Sequence, residues 1–150
     1  MTDFTDADFE STLVFNAPVD KVFDAITQPT HLSNWWTVAS GNGLQGGEVD
    51  FDFVVMHVDR ADRPSLVQWT AIDCSAEPEW VGTTVTFDIA ALPNGGSTVH
   101  FRHAGLRALT CYELCREGWT HFLASLVSYV ETGEGAPVGS PAAANRHANV

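Results

Sequence analysis

Apolar and polar side chains alternate along five stretches of this chain, which indicates strands with one buried face. The stretches are residues 9–15, 48–58, 65–73, 83–92 and 98–103. A period of two is typical of an antiparallel sheet that faces a core on one side and solvent on the other. Between the last two stretches, the sequence PNGGS is typical of a hairpin turn. We therefore predict a curved antiparallel sheet.

Two short helices are predicted between the first two strands. Pro18 and Pro29 each suit the first position of a helix, because the missing N–H would have no partner there. The first helix is expected to end near Thr27, and the second ends on Trp35 and Trp36. Both indoles cannot point inward from the end of one short helix. We expect one of them to line the mouth of a pocket and the other to lie at a subunit contact.

The hydrophobic period changes from two to 3.6 over residues 112–130, which predicts a long C-terminal helix. Thr110 and Glu113 are spaced as a capping box, and Gly133 is placed to end the helix. Gly118 costs about 1 kcal/mol relative to alanine inside a helix, so we expect a close neighbour that excludes a methyl group. The apolar stripe of the helix and the apolar face of the sheet must bury against each other.

Taken together, the patterns predict one α+β domain over residues 9–133. In it the curved sheet, the two short helices and the long C-terminal helix enclose an apolar cavity. Residues 1–8 are predicted to be a flexible N-terminus, and residues 134–150 lack periodicity and are predicted to be a solvated tail. A chain of 150 residues can bury about 70% of its unfolded surface, so the core needs neither a metal nor a disulfide.

The balance of charge narrows the partners that the domain is expected to have. Lys and Arg number 7 against 19 for Asp and Glu, which gives a formal net charge of −12. This charge repels phosphate backbones and anionic lipid headgroups, so neither nucleic acid nor a membrane surface is an expected partner. The first residues lack a signal-peptide pattern, and an odd count of three cysteines suits a reducing compartment. We therefore expect a cytoplasmic protein.

The strand and helix periods together predict which side chains line the cavity. The predicted ligand-binding set is mostly aromatic and consists of Trp35, Phe51, Phe53, Trp69, Phe87, Phe101, His103, Trp119, Phe122 and Leu126. The last three are expected to face the sheet from the long helix. Such a lining can bind flat or apolar molecules but not an unpaired charge, whose burial costs roughly several kcal/mol. The same aromatic residues equally suit ordinary core packing.

His103 is the most suggestive polar residue, because the alternation places it on the inner face beside Phe101. A neutral imidazole there can orient a ligand or act as a general base, and it can equally be a structural histidine bonded to the backbone. His57 shares the parity of Phe53 and would reach the same cavity unless the strand bends. The sequence has no nucleophile elbow, no HExxH motif and no phosphate-binding glycine loop, so catalysis is unsupported.

Cys111 and Cys115 stand four residues apart at the start of the long helix. They are near enough for two ligands of one metal, with His103 as a third, but structural zinc sites usually have a second close pair. We interpret them as small buried thiols and expect no metal and no cofactor. A disulfide is not expected either, because a helix does not bring side chains four apart into the required dihedral angle.

Three stretches resemble the START-like or SRPBCC superfamily, whose members share the helix-grip fold. They are APVDKVFDAITQPTHLSNWW, the strand SLVQWT, and GTTVTFDIAALPNGGSTVHFRHAGL followed by EGWTHFLASLVSYVETGEG. The most similar branch is the Aha-type group, named after the C-terminal domain of a co-chaperone that activates a heat-shock-protein ATPase. The resemblance implies a pocket between sheet and long helix, which relatives use for sterols, lipids, polyketides or hormones. The co-chaperone also uses an N-terminal domain and basic surfaces, neither of which is expected here, so the resemblance does not imply ATPase activation.

Three functions remain open from the sequence. The first is a carrier or sensor that binds a small apolar or amphipathic molecule in the cavity. The second is a cavity enzyme, such as a cyclase, dehydratase or hydrolase, with His103 or His57 as the acid or base. The third is a protein-interaction or co-chaperone-like module, in which the cavity is filled core and an exposed apolar surface makes the contact. In each case a homodimer is expected in preference to a monomer.

Overall fold

The computed structural model describes residues 8–51, 53–75 and 78–138. Within that part of the chain, the helices are α1 (Val19–Thr27), α2 (Pro29–Trp35) and α3 (Tyr112–Thr132). The strands are β1 (Phe9–Phe15), β2 (Ser40–Gly41), β3 (Glu48–Asp50), β4 (Val54–Asp62), β5 (Leu66–Cys74), β6 (Thr84–Ala91) and β7 (Ser97–His103). Short 3₁₀ turns lie at Pro78–Trp80 and Leu106–Ala108.

The described strands form one antiparallel sheet in the order β1-β7-β6-β5-β4-β3-β2. The pairing of β4 with β5 has two irregularities, between Val55 and Met56 and between Val58 and Arg60, and such bulges bend and twist a strand. α3 contacts β1 and the two short helices, and its Trp119 ring meets the Phe101 ring of β7 at 4.6 Å. The predicted α+β architecture, with one long helix packed on a curved antiparallel sheet, is confirmed.

The second predicted strand is in fact two strands, and the break between them reverses the buried face. Phe51 is buried as predicted, but a tight turn follows, in which the Phe53 N–H donates to the Phe51 carbonyl at 2.9 Å. After this turn Met56 is fully buried and His57 lies on the opposite face. There its Nε2 is 3.9 Å from a carboxylate oxygen of Asp59. Of the two orientations that the sequence left open for His57, the structure shows the outer one, because the turn shifts the strand by one residue.

The ends of α3 agree with the sequence prediction in part. Gly133 follows the helix with φ +89°, a left-handed conformation that glycine adopts without steric cost. The predicted capping box is absent from this helix end: the N–H and Oγ1 of Thr110 both donate to Glu79 Oε1, at 3.0 and 2.8 Å. Gly118 has no close neighbour among the described residues, because an added Cβ would meet nothing within 4 Å. That expectation is also wrong.

The described part of the predicted tail lies against the helices. The Ala136 N–H donates to Ser125 Oγ at 2.6 Å, and the Val138 N–H donates to the Trp36 carbonyl at 2.7 Å. Residues 139–150, and residues 1–7 of the predicted flexible N-terminus, lie outside the described residues. None of the helices in the described ranges is long and apolar enough to cross a membrane.

Candidate functional site

Aromatic rings fill the space between the sheet and α3 and contact one another. We call them the aromatic cluster: Trp36, Phe51, Phe53, Trp69, Trp80, Phe87, Phe101 and Trp119. Ring centroids of neighbouring members are 4.5 to 6.2 Å apart, within the range of stacked and edge-to-face contacts. Strands β5, β6 and β7 each supply one ring from their buried face, and α3 supplies the ring of Trp119. Six residues of the predicted ligand-binding set thus belong to the aromatic cluster: Phe51, Phe53, Trp69, Phe87, Phe101 and Trp119.

Trp36 lies at the centre of the aromatic cluster, against expectation. Its ring centroid is 4.5 Å from that of Phe51 and 5.0 Å from that of Trp119, and the residue is only 3% exposed. α2 ends one residue earlier, and Trp36 has φ −115° and ψ −83°, outside the helical region. Its side chain therefore turns inward beside Trp35, whose Nε1 donates to the Ala25 carbonyl at 2.8 Å. The placement of one tryptophan at a pocket mouth and the other at a subunit contact is wrong, because both are buried.

Trp80 is the second member of the aromatic cluster that the sequence prediction missed. It lies on the 3₁₀ turn Pro78–Trp80, where no strand or helix period indicates an inner face. Its ring stacks near that of Trp119 at 6.0 Å and meets the His103 ring edge-on at 4.7 Å. A tryptophan alone in an otherwise polar loop is the one feature of the sequence that could have indicated an anchor in the core.

The residues that α3 was predicted to contribute are all buried. Trp119, Phe122 and Leu126 are 2%, 6% and 0% exposed. Phe53 differs from the other cluster members, because it is only partly buried and lies after β3 at the rim. Its ring meets Trp36 at 5.7 Å and Trp80 at 6.1 Å. Phe53 is therefore where the aromatic cluster comes closest to solvent.

His103 is fully buried, and both of its ring nitrogens have hydrogen-bond partners. Trp119 Nε1 lies 3.0 Å from Nδ1, and Thr83 Oγ1 lies 2.9 Å from Nε2. An indole N–H can only donate, so Nδ1 must be the acceptor and Nε2 must carry the proton. Nε2 then donates to Thr83, whose hydroxyl donates to the Trp80 carbonyl at 2.6 Å. Trp119, His103, Thr83 and Trp80 thus form one continuous chain of hydrogen bonds from α3 to the 3₁₀ turn.

Burial lowers the pKa of His103 to about 3, because the charged imidazolium would lose its solvation there. The ring is thus neutral at physiological pH. A neutral histidine with both nitrogens engaged is an unfavourable general base near pH 7. The geometry therefore supports the structural interpretation of His103, and His57 lies on the outer face of the sheet.

Trp69 carries the one buried side-chain polar atom without a hydrogen-bond partner in the described part of the chain, its indole Nε1. The residue is fully buried on β5, and its ring lies 5.1 Å from Phe87, 5.7 Å from Phe51 and 6.2 Å from Trp36. A buried donor without an acceptor costs about 1–3 kcal/mol. Buried polar groups are otherwise almost always satisfied, so this N–H is the place in the interior that suits an acceptor from outside the chain.

The surface of the described residues has concave sites, of which two bear on binding. One, of about 360 Å³, lies where α1, α2 and the end of α3 meet, and polar side chains including Lys21, His31, Asn34 and Tyr129 line it. His31 Nδ1 is 2.5 Å from the Tyr129 hydroxyl there. The other, of about 220 Å³, includes Phe53 in its lining. No pattern in the sequence predicted the first site, because its lining comes from three separate helices.

Comparison with solved structures supports the fold. The Aha1 dimer from Colwellia psychrerythraea is 27% identical, with a TM-score of 0.74 over 85% of this chain and 98% of that chain. The HSP90 activator PFC0360w from Plasmodium falciparum is 20% identical, with a TM-score of 0.71 over 85% and 97%. CalU16 from Micromonospora echinospora is 19% identical, with a TM-score of 0.70 over 95% and 82%. The last two show the likeness of fold alone.

No curated protein matches this sequence. The family model described as Activator of Hsp90 ATPase homolog 1-like protein matches residues 16–131, which covers α1 to α3 and the whole sheet except β1. The predicted resemblance to the Aha-type branch of the SRPBCC superfamily is confirmed. The chain belongs to the family of Activator of Hsp90 ATPase homolog 1-like proteins.

Proposed function

We propose that this protein binds a small, mostly apolar molecule between the sheet and α3, and that the molecule carries one hydrogen-bond acceptor. The Trp69 Nε1–H is the group that would hold this acceptor. The observation that carries the proposal is the absence of any acceptor for this fully buried donor among the described residues. The specific ligand is not assigned beyond its class.

The chemistry of the surroundings defines that class. The rings around Trp69 offer apolar faces and no charge, so a charged ligand would pay a large desolvation cost. A ketone, ester, ether or alcohol oxygen would accept the indole N–H without such a cost. A flat molecule suits the site best, because the neighbouring rings of Trp36 and Trp69 are nearly parallel, at 8°. The ligand is therefore expected to be an aromatic or polycyclic compound with a single oxygen acceptor.

Entry requires movement, because the rings of the aromatic cluster touch. Phe53 is the best candidate for the moving part, since it is only partly buried and also lines the 220 Å³ surface site. Rotation of its ring away from Trp36 and Trp80 would connect that surface site with the interior. Phe53→Ala is expected to speed ligand association, and Phe53→Trp to slow it, in stopped-flow fluorescence.

The test is a displacement titration with the neutral fluorescent probe N-phenyl-1-naphthylamine. We expect the probe to bind folded protein, to quench tryptophan emission, and to be displaced by acetophenone. Ethylbenzene keeps the phenyl ring and the two-carbon side chain of acetophenone but has no carbonyl, so it serves as the matched competitor. We expect it to bind less tightly by about fivefold to tenfold, the equivalent of one hydrogen bond to a buried donor.

Trp69→Phe is the matched variant, because it keeps the ring and removes the N–H. In this variant acetophenone is expected to lose its advantage and to compete no better than ethylbenzene, because its carbonyl would be buried without a donor. Failure of the probe to bind folded wild-type protein would contradict the proposal and mean that the interior is filled core. An unchanged preference for acetophenone in Trp69→Phe would show that another group holds the carbonyl.

The co-chaperone-like interaction module is the second candidate, and the mutual packing of the rings favours it. The family description and the solved activator from Plasmodium falciparum both refer to Hsp90. In this alternative the aromatic cluster is a rigid core that supports a binding surface. Stimulation of Hsp90 ATPase turnover by the purified protein, undiminished in Trp69→Phe, would support it over ligand binding.

A homodimer and a cytoplasmic location remain proposals. The solved Colwellia psychrerythraea protein is described as a dimer, and a relative at 27% identity makes the same assembly worth testing. With both adjacent tryptophans buried, the dimer contact must lie elsewhere on the surface. Light scattering coupled to size-exclusion chromatography should give twice the mass of 16.3 kDa, and a monomer mass at every concentration would contradict this.

A further inference from the structure

Cys111 and Cys115 bring two sulfur atoms into contact at the start of α3. Their Sγ atoms are 2.9 Å apart, and both residues are present as thiols. The sequence argument against a disulfide assumed that both lie within a regular helix. Cys111 instead flanks the helix, with ψ near 3°, and no side chain caps this end. The Cys115 N–H donates to the Cys111 carbonyl at 2.9 Å, which holds the two residues one turn apart, and the Cys111 side chain lies before the regular helix, where it can adjust to the geometry that a disulfide requires.

The surroundings suit a reactive sulfur on Cys115. Trp80 Nε1 donates to Cys115 Sγ at 3.4 Å. An N–H aimed at sulfur stabilises the negative charge that the sulfur carries when it attacks as a nucleophile. The start of α3 adds the positive end of the helix dipole. Cys115 is partly exposed, whereas Cys111 is 8% exposed, so a small oxidant reaches Cys115 first.

We propose that Cys111 and Cys115 form a peroxide-sensitive thiol pair that closes a reversible disulfide. The Cys115 sulfur attacks hydrogen peroxide, the O–O bond breaks, and a sulfenic acid and one water form. The Cys111 sulfur then attacks the sulfenic sulfur, so that an S–S bond replaces the S–O bond and a second water leaves. Two thiols and one peroxide thus give one disulfide and two waters. A small thiol such as dithiothreitol reverses the step.

Oxidation at this site has a direct route to the interior. Trp80 contacts Cys115 through its N–H and contacts Trp119 and His103 through its ring. Closing the disulfide moves the Cys115 sulfur and alters this hydrogen bond. The environment of the Trp80 indole is therefore expected to change on oxidation, although the proposal does not depend on ligand binding by the aromatic cluster.

The experiment is mass spectrometry of the native protein after treatment with hydrogen peroxide and alkylation of the remaining thiols. Trypsin cleaves after Arg107 and Arg116, so a single peptide, residues 108–116, contains both cysteines, and Cys74 lies on another peptide. After peroxide treatment we expect this peptide to carry no alkyl group and to weigh two hydrogen atoms less than the reduced peptide. After reduction with dithiothreitol both cysteines should be alkylated again. A synthetic peptide of the same sequence is the control, and the native protein should oxidise about tenfold faster because its sulfurs are already adjacent.

Substitution of each cysteine in turn separates the two steps from the contribution of the third thiol. In Cys111→Ser the disulfide should be absent and Cys115 should be trapped by dimedone as a sulfenic acid. Cys74→Ser should behave as the wild type and shows that the third cysteine is not needed. If Cys111→Ser does not fold, the proposal is tested by Cys115→Ser, in which the disulfide should also be absent, and by the oxidation rates of native protein and synthetic peptide. Two alkylated thiols on residues 108–116 after treatment, or equal rates for native protein and synthetic peptide, would overturn the proposal.

Discussion

The buried histidine makes the stability of this protein depend on pH in a predictable direction. Burial lowers the pKa of His103 to about 3 in the native state, against an ordinary value of 6.5. Between these two values the unfolded chain binds a proton that the native protein does not. The contribution of His103 to the free energy of unfolding therefore rises with pH across this window and reaches its full value above pH 6.5.

The size of the effect follows from the displacement of the pKa. One pH unit corresponds to about 1.36 kcal/mol, so lowering the pH to 5 should cost about 2 kcal/mol of unfolding free energy through His103 alone. The reference pKa values of aspartic and glutamic acid are about 3.9 and 4.3, so the comparison is made at pH 5 and above. A loss of this size is large against the total stability of a small domain, about 5–15 kcal/mol.

The assay is urea unfolding, followed by tryptophan fluorescence, at pH 5, 6, 7 and 8. His103→Gln removes the titrating group and keeps one acceptor for Trp119 and one donor for Thr83. Between pH 8 and pH 5 its free energy of unfolding should therefore fall by about 2 kcal/mol less than that of the wild type. His57→Gln is the control, because His57 is on the outer face. Equal pH dependence in wild type and His103→Gln would refute the assignment of a neutral, desolvated His103.

Further substitutions test the packing of α3. Gly118→Ala should stabilise the protein by about 0.5–1 kcal/mol, because the helix gains propensity and the added methyl meets no neighbour within 4 Å. Gly133→Ala should destabilise it by about 1–2 kcal/mol, because alanine is strained at φ +89°. Trp119→Phe should cost about 1–3 kcal/mol, because it leaves His103 Nδ1 buried without its donor. Thermal unfolding by circular dichroism measures all three, and a stabilising Trp119→Phe would contradict the hydrogen-bonded chain.

The regular parts of the fold were predictable because each has a simple hydrophobic period. Strands β6 and β7 bury alternate residues, and α3 buries a stripe, so Phe87, Phe101 and Trp119 could be placed together from the sequence. The inward orientation of His103 followed from the same alternation. The hydrogen-bond partners of His103 could not be predicted, because Thr83 and Trp119 meet it only through the tertiary fold.

The failures of prediction lie where the backbone leaves a regular period. Trp36 was misplaced because its non-helical backbone turns the side chain inward. The side of His57 stayed open because a turn before β4 and a bulge within it change which residues face inward. Trp80 was missed because a 3₁₀ turn has no pattern to read. The sequence placed Cys111 and Cys115 near each other, but the geometry of their sulfurs could not be predicted, because the regular helix begins after Cys111.

The proposal that the Trp69 Nε1–H holds a ligand acceptor is tested most directly by its indole resonance in a ¹H–¹⁵N NMR spectrum. The resonance is assigned by its loss in Trp69→Phe, and the wild-type protein is then titrated with acetophenone and, separately, with ethylbenzene. We expect acetophenone to move the Trp69 indole proton downfield, as hydrogen bonding does, and ethylbenzene to shift neighbouring aromatic resonances without that downfield change. A Trp69 indole proton that responds to neither compound, while the protein remains folded, would contradict ligand binding at this site.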